Sequence, residues 1–333
     1  MMIKNYTPTS SHFWTGRIDD TEDREAFRMH QLIQLIDLNQ IQNYKFDLSK
    51  INIFFLGFKS DIGVQRNLGR AGAEFGPEYI RKELANLPVN FEISTELFDA
   101  GDVFCADSNL ENAQAELRKA VNIILTNGLF PLVLGGGHAL SLGHYLGIND
   151  FIAQTKTPNI GIINFDAHWD LRPYESEGSS GTMFSQIADF CEEKEYPFNY
   201  LCLGLQTSGN TRRLFKRATE LGAKHILAKD FKVENAPDIK SQINNFINNS
   251  EHIYLTLCSD VFNSASAPGV SAMQPFGMNP EVVLSYIKKI IRSNKLIGFD
   301  IAEVSPRFDQ DNQTAKLAAV IIYAIINELS EYN

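Results

Sequence analysis

Eight short runs rich in β-branched and aromatic residues punctuate the chain: 51–57, 96–100, 130–134, 159–165, 199–205, 224–227, 252–258 and 295–301. Their length and composition predict buried strands. Between them lie amphipathic stretches at 110–127, 210–221, 239–248 and 280–293, whose apolar positions recur at helical spacing. This alternation predicts an α/β fold of three layers, with helices covering both faces of a mostly parallel sheet of about eight strands. The longest apolar run, Leu317 to Ile326, is far too short to span a bilayer and reads as a buried C-terminal helix. No repeat, low-complexity tract or long linker interrupts the pattern. A single domain over 1–333 is the expectation, with residues 1–50 as an N-terminal extension. That extension reads as a loop carrying Trp14-Thr15-Gly16-Arg17, followed by a helix around Glu25–Ile36.

In open α/β sheets the ligand site lies beyond the carboxyl ends of the strands, and the chemically capable residues fall there. His138 follows the run ending at Leu134, and Asp166 follows the next. Cys258 and Asp260 end another, and Glu303 follows the last. The densest stretch is Asn164 to Arg172, where Asp166, His168 and Asp170 alternate and so share one face. In a fully extended strand Asp166 and Asp170 would stand roughly 13 Å apart, too far for one ion. Either the chain curls after Asp166 or the acids serve two ions. Like charges packed this closely in a poorly solvated place call for a cation. Gly135-Gly136-Gly137-His138 is a glycine turn that lets backbone approach a ligand and offers His138 as a further ligand. It lacks the Lys-Ser/Thr of a phosphate loop.

Composition trims the alternatives. The 333 residues carry a net charge of −10 with no Lys/Arg cluster, which argues against nucleic acid or an anionic membrane as partner. Four scattered cysteines without paired spacing suit reduced thiols, and residues 1–10 have no apolar signal core, so a cytoplasmic protein is expected.

The ordered set Gly-Gly-Gly-His (135–138), Asp-Ala-His-x-Asp (166–170), Cys-Ser-Asp (258–260) with Ala-Pro-Gly (267–269), and Asp-Ile-x-Glu-Val (300–304) resembles the arginase/agmatinase, or ureohydrolase, superfamily over about residues 51–330. Within it the formimidoylglutamase branch is the most similar. That rests on Trp14-Thr15-Gly16-Arg17, the segment 63–73, Asp170-Leu171-Arg172, Gly178-Ser179-Ser180-Gly181-Thr182 and Ala267-Pro268-Gly269-Val270-Ser271-Ala272. The resemblance implies an arginase-like fold, two Mn2+ ions with bridging carboxylates, and a trimer or hexamer. By position, His138, Asp166 and Asp170 would hold one ion, and His168, Asp166 and Asp260 the other. Two departures stand out. Cys258 occupies the place of an Asp that normally binds both ions, and thiolates prefer softer metals than manganese. Three outcomes stay open: a working site with a Cys ligand, a site with one weakly held metal, or lost chemistry. The presence of every other expected ligand favours the first two. In addition, Ser180-Gly181-Thr182 stands where the arginase and agmatinase branches carry a His before a Gly, which lowers the expectation of arginase activity.

The implied reaction is metal-dependent hydrolysis of N-formimidoyl-L-glutamate to L-glutamate and formamide, in histidine degradation. Asp170 is the candidate to orient and deprotonate, and Glu303 the candidate to bind the cationic amidine. Arg172 is the candidate for one of the substrate's two carboxylates, Arg66, Asn67 and Arg70 for the second, and Ser179 is a further substrate-binding candidate. The rival expectations are another ureohydrolase, such as an agmatinase or guanidinobutyrase, and a metal-poor pseudoenzyme that binds small amidines or a partner protein.

Overall fold

A computed structural model describes residues 2–332, so Met1 and Asn333, the ends of the expected domain, lie outside the described residues. The strands are β1 (Tyr6–Thr7), β2 (Gln34–Leu35), β3 (Ile51–Lys59), β4 (Thr95–Phe104), β5 (Phe130–Gly135), β6 (Ile160–Phe165), β7 (Asn199–Leu205), β8 (Lys224–Leu227), β9 (His252–Cys258) and β10 (Leu296–Ala302). The helices are α1 (Ile62–Arg66), α2 (Gly76–Ala85), α3 (Leu110–Thr126), α4 (Leu140–Ala153), α5 (Met183–Glu193), α6 (Arg212–Glu220), α7 (Ala236–Asn248), α8 (Pro280–Ile291) and α9 (Gln313–Tyr332). All strands join one sheet in the order β1-β4-β3-β5-β10-β9-β6-β7-β8, with β2 added beside β4. Every pairing is parallel except β1 with β4.

The central strands are apolar on both faces because helices cover both. Along β3, Ile53 and Phe55 join the core shared with α2, α7, α8 and α9, while Phe54, Leu56 and Phe58 join the core shared with α3, α4 and α5. The period-2 side-chain alternation of a strand produces this division. The C-terminal helix α9 buries Ile321, Ile322, Ile325 and Ile326, and among the described residues no helix is long and apolar enough to cross a membrane.

The order of the sheet fixes the site. The chain lays down β5, then builds β6 three places away, and fills the two-strand gap last with β9 and β10. The carboxyl ends of β5, β10, β9 and β6 therefore stand side by side in the middle of the sheet.

The N-terminal segment corrects one expectation. No α-helix forms around Glu25–Ile36; that stretch holds 3-10 turns at Arg24–Ala26 and Met29–Gln31 and then β2. Its backbone groups find partners elsewhere: Met29 N donates to Leu87 O, Val89 N to Phe27 O, and Ile36 N to Asp99 O. These long-range bonds outcompete the local helical ones. Nor is the extension a loose decoration. Buried Trp14 donates from Nε1 to Asp99 Oδ2 (2.6 Å), and β1 lies along the sheet edge. Asp99 also accepts from fully buried Arg81, which bridges to Asp102.

Candidate metal centre

Two buried apolar side chains set the direction of the Asp166–Arg172 loop. Trp169 and Leu171 are wholly buried in the core, which turns His168, Asp170 and Arg172 the other way. Trp169 N donates to Asn210 Oδ1 (3.0 Å), and Tyr200 OH donates to Trp169 O (3.1 Å). Asp166 Oδ1 accepts from His168 N (2.7 Å), closing a tight turn at the strand end. Asp170 sits at φ 50°. The chain bends at Ala167 and His168, one of the two outcomes the spacing left open, and the left-handed Asp170 follows that bend. Glu303, at φ 66°, is the second candidate in this costly region, held by the bond from its N to Gly136 O (2.9 Å).

The glycine run before His138 works by close approach rather than by unusual φ. None of its three glycines has positive φ, but a Cβ at Gly136 would lie 2.2 Å from Ser60 O. Backbone contact with the β3–α1 connection brings His138 over the sheet, where its N donates to Glu303 Oε1 (3.0 Å).

The side chains converge. His138 Nδ1 lies 3.0 Å from Asp166 Oδ2 and 3.2 Å from Asp170 Oδ2. His168 Nδ1 lies 3.1 Å from Asp260 Oδ2 and 3.4 Å from Asp166 Oδ1. Among the described residues two groups have ligand atoms all within 4.8 Å of one another: His138, Asp166 and Cys258, and Asp166, His168 and Asp260. Asp166 belongs to both. Cys258 thus stands among the ligand atoms on the His138 side. All four cysteines are free, as scattered spacing implied.

The donor set fits divalent cations. Buried His138 Nδ1 and Asp260 Oδ1 both lack a well-angled hydrogen-bond partner, and such orphans are rare in native interiors. Burial pushes Asp170 up to about 6, with the Asp166 charge adding to it, and pushes Glu303 up to about 8. Burial alone would lower His138, but Asp166 and Asp170 outweigh it and hold the imidazole well above its ordinary value. Protons stand in here for the positive charge that the carboxylates demand.

These groups floor a cavity of about 310 Å³, whose lining includes Asn67, Arg70, Arg172, Ser180, Ser271 and Glu303. The carboxylate-binding candidates part company here. Arg172 is exposed at the cavity, and among the described residues its guanidinium has no hydrogen bond or ion pair. Arg66 does not line the cavity. Its guanidinium donates to Glu111 Oε1 (2.6 Å) and Gly178 O (3.1 Å), because the protein supplies its own anion. Arg70 lines the cavity, but its guanidinium is committed to Ser271 O and Val270 O and lies over the Phe308 ring. It braces the rim loop. Ser179 is buried in a turn, where its Oγ accepts from Gly181 N (3.2 Å), and Ser180 lines the cavity instead. Asn67 lines the wall beside Gly181.

Sequence reasoning missed Asn210, whose Nδ2 donates to Ala167 O (2.9 Å) and whose Oδ1 pins Trp169. It also missed the polar group beneath His138 formed by Thr256, Asp300, Tyr254 and His144. The signal was weak: Thr256 and Asp300 are isolated polar residues inside otherwise apolar strands, His144 is one polar residue of α4, and Asn210 lies in the loop before α6.

Residues 51–327 match the Arginase family. The chain belongs to the arginase family. A formimidoylglutamase of Clostridium tetani is 50% identical over 337 residues, covering 99% of this chain and 98% of that protein. The solved formimidoylglutamase of Bacillus subtilis has a TM-score of 0.77 at 24% identity, over 93% of this chain and 94% of that one. A Trypanosoma cruzi formiminoglutamase solved with Mn2+ has a TM-score of 0.76 at 22% identity, over 90% and 99%. The arginase fold therefore accounts for the layered sheet and for the convergence at the ends of β5, β10, β9 and β6.

Proposed function

We propose that this arginase-family protein hydrolyses N-formimidoyl-L-glutamate to L-glutamate and formamide, using two Mn2+ ions. The observation that carries the reading is the meeting, in one cavity, of two ligand groups sharing Asp166, a buried Glu303 and the unpaired Arg172. Formimidoylglutamases at 40–50% identity along nearly the whole chain support the substrate.

His138, Asp166, Asp170 and Cys258 would hold one ion, and Asp166, His168 and Asp260 the other. Such a pair supplies Lewis acidity and a water of lowered pKa. The chain's own residues do the rest. Glu303 accepts hydrogen bonds from the amidinium, and that cation favours the ionised carboxylate that burial opposes. Hydrolysis forms a C–O bond at the amidine carbon and breaks its bond to the glutamate nitrogen. A proton must reach that nitrogen. Asp170, which lines the cavity beside His138, is the group assigned to carry it. Arg172 meets one substrate carboxylate at the rim, and Asn67 offers an amide to the other.

The test is a side-by-side assay of formimidoylglutamate, agmatine and arginine on Mn2+-loaded protein, with formamide and glutamate quantified. Faster turnover of agmatine or arginine would refute the substrate. Fewer than one metal per chain, with no turnover under any divalent ion, would refute the enzyme.

A further inference from the structure

Beneath the ligands, on the side away from the cavity, a second polar cluster lies fully inside the protein. His138 Nε2 is 2.9 Å from Thr256 Oγ1. Thr256 Oγ1 donates to Asp300 Oδ1 (2.5 Å), and Tyr254 OH donates to Asp300 Oδ2 (2.5 Å). His144 Nδ1 lies 2.7 Å from the same Oδ2. Thr256, Asp300 and His144 are wholly buried. Burial, then the Asp300 charge, pushes the Tyr254 phenol well above its ordinary value, so it keeps its hydrogen and donates.

The directions of these bonds close into one assignment. A carboxylate only accepts, so Thr256 spends its single hydrogen on Asp300. Its oxygen can then only accept from His138, and Nε2 must carry hydrogen. Once the ring gives up its second proton, the electron pair for a metal is left on Nδ1, the atom that faces Asp166 and Asp170.

We propose that Asp300, acting through Thr256, is a positioning residue for the metal centre: it fixes the tautomer and the rotation of the His138 ring and raises the basicity of Nδ1. This rests on the two-metal reading above. Outer partners of metal-bound histidines work in this way, usually by direct contact; here a hydroxyl is interposed. His144 serves the relay as a further donor to Asp300. Its Nε2 is buried without a partner and faces Gly298, where a Cβ would lie 2.7 Å away. The cluster lies behind His138 and does not touch His168, so its influence is confined to one of the two ions.

The test compares the full chain with Thr256→Val, Thr256→Ser and Asp300→Asn by equilibrium dialysis against Mn2+. Valine keeps the shape and removes the hydroxyl; serine keeps the hydroxyl. Thr256→Val and Asp300→Asn should weaken one ion by about 10- to 100-fold and leave the other unchanged. Thr256→Ser should stay within about threefold of the parent. The double variant should lose no more than Thr256→Val alone, as links of one chain must. Thr256→Val holding both ions as tightly as the parent overturns the proposal, and so does equal loss of both ions. A second measurement stands apart from metal. In 15N-histidine-labelled protein without metal, the His138 Nε2–H resonance, assigned by its absence from His138→Gln, should persist in the parent and Thr256→Ser and be lost to exchange in Thr256→Val. Equal resonances in all three overturn the proposal even if the parent binds no Mn2+, an outcome that would refute the two-metal reading separately.

Discussion

Replacing Arg172 by Met isolates the substrate contact that the cavity geometry favours most. The side chain is exposed and free of protein partners, so nothing inside the protein is left unpaired by its loss. Its backbone N donates to Gly181 O (2.8 Å), a bond that Met retains. A carboxylate about 4 Å from the guanidinium gains roughly 4 kcal/mol at an effective dielectric of 20. Ordering the exposed side chain and screening by solvent offset about half of that. About 2 kcal/mol remains, which raises KM for formimidoylglutamate about thirtyfold. The contact is remote from the scissile bond and is made equally in ground and transition states, so kcat should change by less than about threefold. Steady-state kinetics on the Mn2+-loaded protein read both parameters. An analogue lacking one carboxylate should show a similar KM penalty on the parent and little further penalty on Arg172→Met, if that carboxylate is the one bound. A KM within about threefold of the parent would remove Arg172 from the substrate site and send the search to Asn67 and Ser180.

Glu303→Gln removes the buried acceptor for the amidinium while keeping size, and kcat/KM should fall by about 10²- to 10³-fold, the loss expected for a desolvated charge pair; a loss below about tenfold sinks the assignment. Stripping metal with a chelator should lower Tm by about 5 °C or more, since each ion at a hundred times its Kd contributes about 2.7 kcal/mol; calorimetry of stripped and reloaded protein reads this, and identical curves would mean the cluster holds no ion. Arg81→Met leaves Asp99 and Asp102 buried without their cation and should cost about 3–5 kcal/mol in urea unfolding. A cost under about 1 kcal/mol would show that Trp14 and the backbone suffice to hold Asp99.

The strands were readable because burial on both faces demands continuous apolar runs, and β7, β8 and β9 begin and end where composition places them. The extension was not readable. Its partners are the distant backbone of Leu87 and Asp99, and no local pattern announces a bond across sixty residues. The arginines show the same limit from another side. Arg66, Arg70 and Arg172 are equivalent as residue types, but Glu111 takes the first, the Val270–Ser271 carbonyls take the second, and only the third is left for a ligand. Which cation is free depends on neighbours far away in sequence.

Amphipathic rhythm and the alternation of Asp166, His168 and Asp170 by themselves determine a layered α/β protein with acid and imidazole on one side of a strand end, because backbone periodicity dictates which side chains share a face. The insertion of β9 and β10 between β5 and β6 belongs to the tertiary structure alone. That insertion carries Cys258, Asp260 and Glu303 to His138 and Asp166, and it slides Thr256 and Asp300 beneath the His138 ring. Parallel strands need long crossovers, so strands adjacent in the sheet can be far apart in the chain, and their order is chosen by packing of the whole sheet rather than by any local run of residues.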